Sequence, residues 1–306
     1  MVEQVAAAIE HKAYARIGLL GNPSDVYNGN TISLSVSNFW ATVKLDPSDQ
    51  LVIRPHPIHD LVQFDSIDHL TGLSGSSAIV CAALNCILDF YKVRHLVKVE
   101  ERPNLILEAE KELGIVAGLQ DRVVQVYGGL VFMDFNKSHM DRLGHGIYTQ
   151  MDISLLPPLY LIYAENPSDS GKVHSTVRQR WLDRDDFIRS TMNEVANLAV
   201  EGRQALLAKD YAKLASLMNR NFDLRRSMFG DDALGALNVK MVEVPRELGA
   251  ASKFTGSGGA VVAFCPDGPE QAAQLEDACK KAGFIVQPVQ VVPSLLTEAD
   301  LNISSS

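Results

Sequence analysis

Cysteine is scarce in this chain, with four among 306 residues, at Cys81, Cys86, Cys265 and Cys279. No two of them form a C-x-x-C pair, and no histidine cluster accompanies them. This spacing argues against a zinc site and a disulfide framework, so a reducing compartment is the simplest setting. We expect all four to behave as small buried hydrophobic residues.

Positive charge is also in short supply. Lys and Arg number 28 against 37 Asp and Glu, which gives a net charge of −9. A general nucleic-acid binder needs a basic stripe, so we expect no nucleic-acid partner. No apolar run approaches the roughly 18 residues of a membrane span, and the N-terminus lacks the pattern of a secretory signal. The sequence therefore predicts a cytoplasmic protein with no membrane partner, and it leaves the oligomeric state open.

Apolar residues, by contrast, are plentiful. They make up 46% of the chain, with 21% charged residues, which is typical of a folded globular protein. A chain of this length favours two domains. The run Leu155-Leu156-Pro157-Pro158 breaks the pattern near the middle. We therefore predict domains over residues 1–155 and 156–306.

The first half alternates predicted strands and helices. β-branched and aromatic runs predict strands, and longer apolar runs with helix start and stop signals predict helices. The predicted strands are Tyr14–Leu20, Thr31–Val43, Leu51–Ile53, Leu61–Phe64 and Leu130–Phe135, and the predicted helices are Ser76–Tyr91 and Pro103–Leu113.

The second half begins with a predicted strand, Leu159–Ala164, and a helical block over residues 173–248. A strand near Lys253, a strand over residues 260–265, a helix over 271–283 and a strand over 284–291 follow. A β-β-α-β ending behind helices indicates a small α+β domain.

A loop rich in glycine and serine precedes the first long helix. It reads Gly72-Leu73-Ser74-Gly75-Ser76-Ser77. Backbone N–H groups at a helix start can hold phosphate, and glycine permits close approach. No Gly-Lys-Ser/Thr follows, and G-x-G-x-x-G is absent, so neither a Walker A loop nor a dinucleotide fingerprint is present. Taken alone, such a loop is equally well a plain helix N-cap.

Two further glycine motifs flank this loop. One stands near the start, over residues 15–29, and the other runs from Gly249 through Lys253 to Gly256-Ser257-Gly258-Gly259. The three motifs in this order resemble the galactokinase, homoserine kinase, mevalonate kinase and phosphomevalonate kinase (GHMP) superfamily. That resemblance implies a two-domain α/β (α+β) fold with an N-terminal mixed sheet with helices, a C-terminal ferredoxin-like domain and a cleft between them.

A closer resemblance is to the plant-type glucuronokinases within that superfamily. It is carried by residues 19–27, 102–105, 164–175 and 219–228 and covers nearly the whole chain. It implies that ATP and Mg²⁺ serve to phosphorylate the anomeric hydroxyl of D-glucuronate, giving glucuronate 1-phosphate on the route to UDP-glucuronate.

The resemblance also assigns roles to single residues. Asp121 takes the position of the catalytic aspartate, which accepts or orients the sugar hydroxyl proton, and Arg16 lies near the transferred phosphate. Glu110, with Ser77, is implied as a Mg²⁺ ligand. Asp25 is a candidate for the sugar hydroxyls, although an Asx-turn beside a proline explains it as well.

The glycine loop at 256–259 and Lys253 are expected to close over the nucleotide. A uronic acid also needs a cation for its carboxylate. Lys172, His174 and Arg178 are candidates because they lie on a loop that leads into a helix. The pair Arg225-Arg226 is an alternative to them.

One stretch departs from the family pattern. Residues 65–71 before the glycine-serine loop are mostly polar, where the family has a strand and usually a proline. The family also places several dozen more residues there, so the resemblance implies that this chain lacks an internal segment between Leu70 and Thr71. The alternative function is therefore a truncated, weakly active or inactive relative that binds a ligand or partner. A kinase for another sugar or alcohol is a third possibility.

Overall fold

The computed structural model describes residues 8–50, 52, 72–115, 117–164 and 174–303. The predicted strands Leu51–Ile53 and Leu61–Phe64 lie outside these residues, apart from Val52. Within these residues, two four-stranded sheets form the frame.

The first sheet is built from β1 (Ile9–Leu20), β2 (Asn30–Leu45), β3 (Leu130–Asp134) and β4 (Ile147–Met151). The strands lie in the order β1-β2-β3-β4, and every described pair is antiparallel, so the parallel pairing that a mixed sheet contains is not found among the described residues. Residues 31–36 of β2 are buried on both faces, whereas its outer half alternates between half-buried and exposed. The ribbon of β1 and β2 therefore enters the core at one end and reaches solvent at the other.

Four helices accompany the first sheet. They are α1 (Gly75–Phe90), α2 (Arg102–Glu112), α3 (Gln120–Tyr127) and α4 (Lys137–Leu143). Pro103 stands in the first turn of α2, where its missing N–H costs no helical hydrogen bond. The buried residues of α1 include Cys81, Ala82 and Cys86.

The second sheet comprises β5 (Leu159–Ala164), β6 (Ala251–Phe254), β7 (Ala260–Phe264) and β8 (Phe284–Pro288). The strands lie in the order β6-β7-β5-β8, and all described pairs are again antiparallel. The helix α10 (Pro269–Lys281) connects β7 to β8. Strand order and connections together match the predicted ferredoxin-like arrangement.

Helices join β5 to β6. They are α5 (His174–Leu182), α6 (Asp186–Ala208), α7 (Tyr211–Phe229), α8 (Asp231–Leu234) and α9 (Ala236–Glu247). Asp185 and Asp210 cap α6 and α7 by accepting backbone N–H bonds at 3.1 and 2.9 Å. The helical block predicted over residues 173–248 is confirmed where the structure describes it.

The C-terminal segment returns to the first sheet. Val36 forms a bridge with Val291, and Gly128 with Ser294. The last helix, α11 (Glu298–Ile303), then places Asp300 in a buried ion pair with Arg102 at 2.6 Å. One buried cluster continues from Leu130 in β3 to Leu161 in β5, across the predicted boundary at residue 155. The two predicted halves are thus packed against each other.

All four cysteines are free and buried, as expected, and burial raises the pKa of the Cys81 thiol to about 12. No helix in the described part of the chain is long and apolar enough to cross a bilayer.

Candidate active site

A cleft of about 520 Å³ lies where the ends of β1, α3 and the 256–259 loop meet. Its described lining includes Arg16, Asp25, Asp121, Arg178, Arg225 and Gly256. Residues far apart in sequence, from both halves of the chain, therefore share one concave surface. Such a surface is the ordinary form of a small-molecule site.

An ion pair between Arg16 and Asp121 forms the floor of the cleft. Arg16 Nη2 donates to Asp121 Oδ2 at 2.8 Å, and Arg16 Nε also bonds to the same carboxylate. The Ser74 hydroxyl donates to Asp121 as well. Strand β1 supplies Arg16, the first turn of α3 supplies Asp121, and the turn before α1 supplies Ser74. The structure thus brings together the two residues assigned to catalysis by resemblance.

The pKa values of two carboxylates in the cleft are shifted in opposite directions. Burial alone would raise the pKa of Asp121, but the charges of Arg16 and Arg122 and the hydrogen bonds from Arg16 and Ser74 lower it to about 2. Burial and the negative charge of Asp121 instead raise the pKa of Asp25 to about 6. Asp25 accepts a 3.2 Å bond from the Gln120 N–H rather than forming a local Asx-turn. It faces the cleft, as a sugar-binding role requires.

The glycine-serine loop ends at the N-terminus of α1. Ser74 has φ of 62°, in the left-handed region, and its carbonyl accepts bonds from Ser77 Oγ at 3.1 Å and Gln125 Nε2 at 2.9 Å. The N–H groups of the first helical turn have no acceptor within the helix. A phosphate placed there would meet these donors and the positive end of the helix dipole.

The 256–259 loop packs directly against the glycine-serine loop. A Cβ at Gly72 would lie 2.0 Å from Gly258 O, and one at Gly256 would lie 2.6 Å from Arg16 Nη2. Both positions need glycine because any side chain would collide with the facing loop. Arg16 Nη1 and Thr255 Oγ1 both donate to Gly72 O, at 2.7 and 2.8 Å. The two glycine loops thus fit a polyphosphate cradle around Arg16.

Lys253 does not face the cleft. It is buried, and its Nζ donates to Gly18 O and Asn22 Oδ1 at 2.7 Å each and to Phe254 O at 2.6 Å. All three of its N–H donors are therefore used within the protein. Lys253 joins β6 to the end of β1, so its donors are not free for the nucleotide contact that the sequence predicted.

The predicted metal ligands do not form an open site. Glu110 is fully buried, and it accepts bonds from Arg122 Nε at 2.6 Å and Ser76 Oγ at 2.9 Å. Ser77 bonds to Ser74 O instead. Because a guanidinium already neutralises the Glu110 carboxylate, this arrangement does not fit a Mg²⁺ held by Glu110 and Ser77. No cluster of three or more acidic, histidine or cysteine side chains suited to a metal occurs among the described residues.

The carboxylate-binding candidates have different positions. Lys172 lies outside the described residues, and His174 begins α5. Arg178, one turn further along α5, lines the cleft. The side chains of Arg225 and Arg226 point in different directions. Arg225 is buried at the cleft, while Arg226 bonds to Asp231 at the surface. Helix geometry explains the split, since neighbouring residues point about 100° apart.

Sequence reasoning missed three residues of the site. Tyr27 and Gln120 line the cleft, and Arg122 pairs with Glu110. The segment Ser24–Tyr27 is a short 3₁₀ turn that carries both Asp25 and Tyr27. Tyr27 belongs to the glycine motif over residues 15–29, so its place in that motif could have identified it as a site residue. Gln120 and Arg122, which flank Asp121, carried no comparable signal.

Comparison with known proteins gives a family match for part of the chain. Residues 57–129 match the model of the GHMP kinases N terminal domain. That range contains the glycine-serine loop, Glu110 and Asp121. The three site features from this range therefore lie in the part of the chain that matches the family model.

Two proteins of Arabidopsis thaliana are similar along almost their whole length. Glucuronokinase 1 is 63% identical over 348 aligned positions, covering 97% of this chain and 96% of the relative. Probable glucuronokinase 2 is 60% identical over 347 positions, covering 97% and 95%. Since this chain has 306 residues, several dozen aligned positions have no counterpart in it.

Solved structures share the fold at low sequence identity. A protein from Listeria innocua superposes with a TM-score of 0.75 at 15% identity, covering 95% of this chain and all of that one. Galactokinase from Lactococcus lactis, complexed with galactose, gives a TM-score of 0.68 at 12% identity and covers 95% of each chain. The predicted GHMP-kinase-like architecture is therefore confirmed at the level of the fold.

Proposed function

Because the chain belongs to the glucuronokinases within the GHMP kinases, we propose that it transfers the γ-phosphate of ATP to the anomeric hydroxyl of D-glucuronate. The products are glucuronate 1-phosphate and ADP. The observation that best supports this reaction is the pairing of Arg16 with Asp121 between two glycine loops, at the N-terminus of α1.

Asp121 and Arg16 have complementary roles in this reaction. With a pKa of about 2, Asp121 is ionised at neutral pH and is a weak base. It orients the sugar hydroxyl and accepts its proton only as the new O–P bond forms. The guanidinium of Arg16 then offsets the negative charge that grows on the transferred group.

The nucleotide phosphates are held by the loop Gly72-Leu73-Ser74-Gly75-Ser76-Ser77 and by Gly256-Ser257-Gly258-Gly259. Arg225 supports the second loop, since its Nη1 donates to Gly256 O at 2.9 Å. Asp25, which lies beside Asp121, accepts hydrogen bonds from sugar hydroxyls. Residues 1–155 and 156–306 form the two domains that contribute these walls.

Mg²⁺ is expected to accompany the nucleotide, because phosphoryl transfer needs phosphate charge neutralised. The described arrangement assigns it no protein ligand. The turnover rate measured at increasing Mg²⁺ concentrations tests this requirement directly, whichever side chains contact the ion.

The experiment that tests the function identifies the product. Phosphorus NMR of the intact protein with ATP and glucuronate should show a new anomeric phosphate signal that grows with ADP. ADP without a sugar phosphate would indicate only nucleotide hydrolysis and would contradict the proposal.

A second function is a shortened relative that binds its ligands without turning them over. It is favoured by the several dozen aligned positions of the curated relatives that this chain lacks. Calorimetric titration separates the two: binding of ATP and glucuronate without product formation supports the second.

A further inference from the structure

We propose that the Arg178 guanidinium binds the carboxylate of the substrate and thereby makes the cleft selective for a sugar acid over the matching neutral sugar. This inference rests on the proposed function and adds a specificity-determining residue to it. It concerns only which group of the cleft recognises the acid.

Arg178 is placed at the cleft by the packing of helix α5. Helix α5 is fixed by Val177, which is buried, and by Trp181, whose ring lies 5.0 Å from the ring of Tyr27. Arg178 and Trp181 are three residues apart, so they share one face of the helix. That face lies against the cleft wall that contains Tyr27. Arg178 is exposed and lines the cleft, so its side chain can meet a ligand there.

The described charged residues that line the cleft include more bases than acids. Its described basic residues are Arg16, Lys111, Arg178 and Arg225, and its described acids are Asp25 and Asp121. Arg16 is paired with Asp121, and Lys111 bonds to Glu108 at 2.6 Å outside the lining. Within the described part of the chain, no acid pairs with Arg178 or Arg225. The cleft thus carries positive charge on a protein of net charge −9, which favours an anionic ligand.

Arg225 and Arg178 differ in the contacts that their guanidinium groups make. Arg225 is 2% exposed, and its Nη1 and Nη2 donate to Gly256 O and Ser257 O at 2.9 and 3.5 Å. Its guanidinium also stacks on Phe254 at 5.6 Å. Arg225 therefore uses its donors to hold the 256–259 loop. Arg178 has no such commitment among the described residues, and it is exposed to the cleft, so we assign the substrate carboxylate to it.

The chemistry of the two partners fits. A guanidinium offers parallel N–H donors that match both oxygens of a carboxylate, in a bond stronger than one between neutral groups. The hydroxymethyl group of a neutral hexose cannot form this pair. A lost charge-assisted bond of this kind corresponds to a discrimination of about 100-fold.

The test compares Arg178→Gln with Arg180→Gln. Arg180 lies on the same helix but bonds to Asp185 at 2.8 Å and is not part of the cleft lining. We expect R178Q to lower kcat/KM for glucuronate about 100-fold through KM, with kcat/KM for glucose and KM for ATP unchanged. R180Q should leave the ratio of kcat/KM for glucuronate to kcat/KM for glucose as in the wild type. Arg178→Lys should keep part of the preference for glucuronate that R178Q loses.

Calorimetric binding of glucuronate to the same variants gives a readout that needs no turnover. The proposal is overturned if R178Q keeps the wild-type affinity for glucuronate, or if both sugars lose kcat/KM equally. A rise in KM for ATP alone would also overturn it, because Arg178 would then contact the nucleotide. A wild-type protein that binds glucuronate but makes no sugar phosphate would contradict the kinase proposal and leave the Arg178 assignment to be decided by affinity.

Discussion

Two aspartates in one cleft differ in acidity because their surroundings differ. Asp121 is held by Arg16 and Ser74, and its pKa falls to about 2. Asp25 has no cationic hydrogen-bond partner among the described residues, and burial beside Asp121 raises its pKa to about 6. Groups with such separated pKa values are typical of functional sites. Their effects on stability should therefore have opposite signs.

We predict that Asp25→Asn raises the Tm at pH 8. The ionised form of Asp25 is disfavoured in the folded state, so its contribution to stability is full below a pH of about 4 and is lost as pH rises through about 6. The gain from D25N should be about 2–4 °C at pH 8 and close to zero at pH 4. Thermal unfolding across this range measures it.

Asp121→Asn is the matched control. Its depressed pKa means that the ionised carboxylate stabilises the fold above a pH of about 4, and that this stability is lost as pH falls towards 2. D121N should therefore lower the Tm at pH 8. Equal shifts of the same sign in both variants would contradict the account of the two environments.

The Glu110–Arg122 pair gives a second prediction. Both side chains are buried, so removing one charge leaves the other without compensation. Glu110→Gln should cost about 3–5 kcal/mol of unfolding free energy, measured by chemical denaturation. The double variant Glu110→Gln with Arg122→Met should recover much of that loss. If E110Q instead weakened only the Mg²⁺ dependence and left stability intact, Glu110 would be a metal ligand.

Single-residue roles were only partly accessible from the sequence. Resemblance located Asp121 and Arg16, and the structure brings them together, although their catalytic roles stay predictions. It could not show that Ser76, rather than Ser77, contacts Glu110. Nor could it show that Lys253 turns inward, since its acceptors come from residues 18, 22 and 254.

At the scale of elements, the two glycine loops and the start of β1 form one unit. The backbone N–H of Arg16 bonds to Leu73 O at 3.2 Å, and that of Gly18 to Thr255 O at 2.8 Å. Each loop is thus fixed to the strand that carries Arg16. A change in either loop should move the guanidinium away from Asp121.

We predict that Gly256→Ala lowers kcat by about 100-fold, because its Cβ would displace the Arg16 guanidinium and a shift near 1 Å costs about that factor. Steady-state kinetics at saturating substrates measure it. Gly283→Ala is the control: its φ of 86° imposes strain, but no atom lies within 4 Å of the added methyl group. G283A should lose stability while keeping the wild-type kcat, and an equal loss of kcat in both variants would contradict the prediction.

Helices and strands with a strong apolar pattern were predicted well. The bounds of α1 and α2 differ by one residue from those expected, and β5 agrees at both ends. The short elements α3 and β4 were missed. Helix α3 is only eight residues long and buries the polar side chains of Gln120, Arg122 and Gln125 beside its valines, and β4 is half-buried along most of its length, so neither contains the long apolar run that predicted the longer elements.

At the scale of the whole molecule, the two sheets are joined by contacts that no local pattern reveals. Lys253 in β6 bonds to Gly18 O in β1, and Asn221 in α7 accepts from the Gly21 N–H at 2.8 Å. The chain end adds the Arg102–Asp300 pair. These long-range bonds fix the cleft walls relative to each other, and they follow from the fold rather than from sequence spacing.

The central claim is that this cleft, in a chain several dozen positions shorter than its aligned relatives, still directs phosphate to glucuronate. The most direct measurement is ADP release by the 306-residue protein with Mg-ATP and glucuronate, beside a folded Asp121→Asn control. The account predicts glucuronate-dependent turnover that falls by about 100-fold or more in the control. Turnover that is unchanged in D121N, or a folded wild-type protein that releases no ADP, would contradict it.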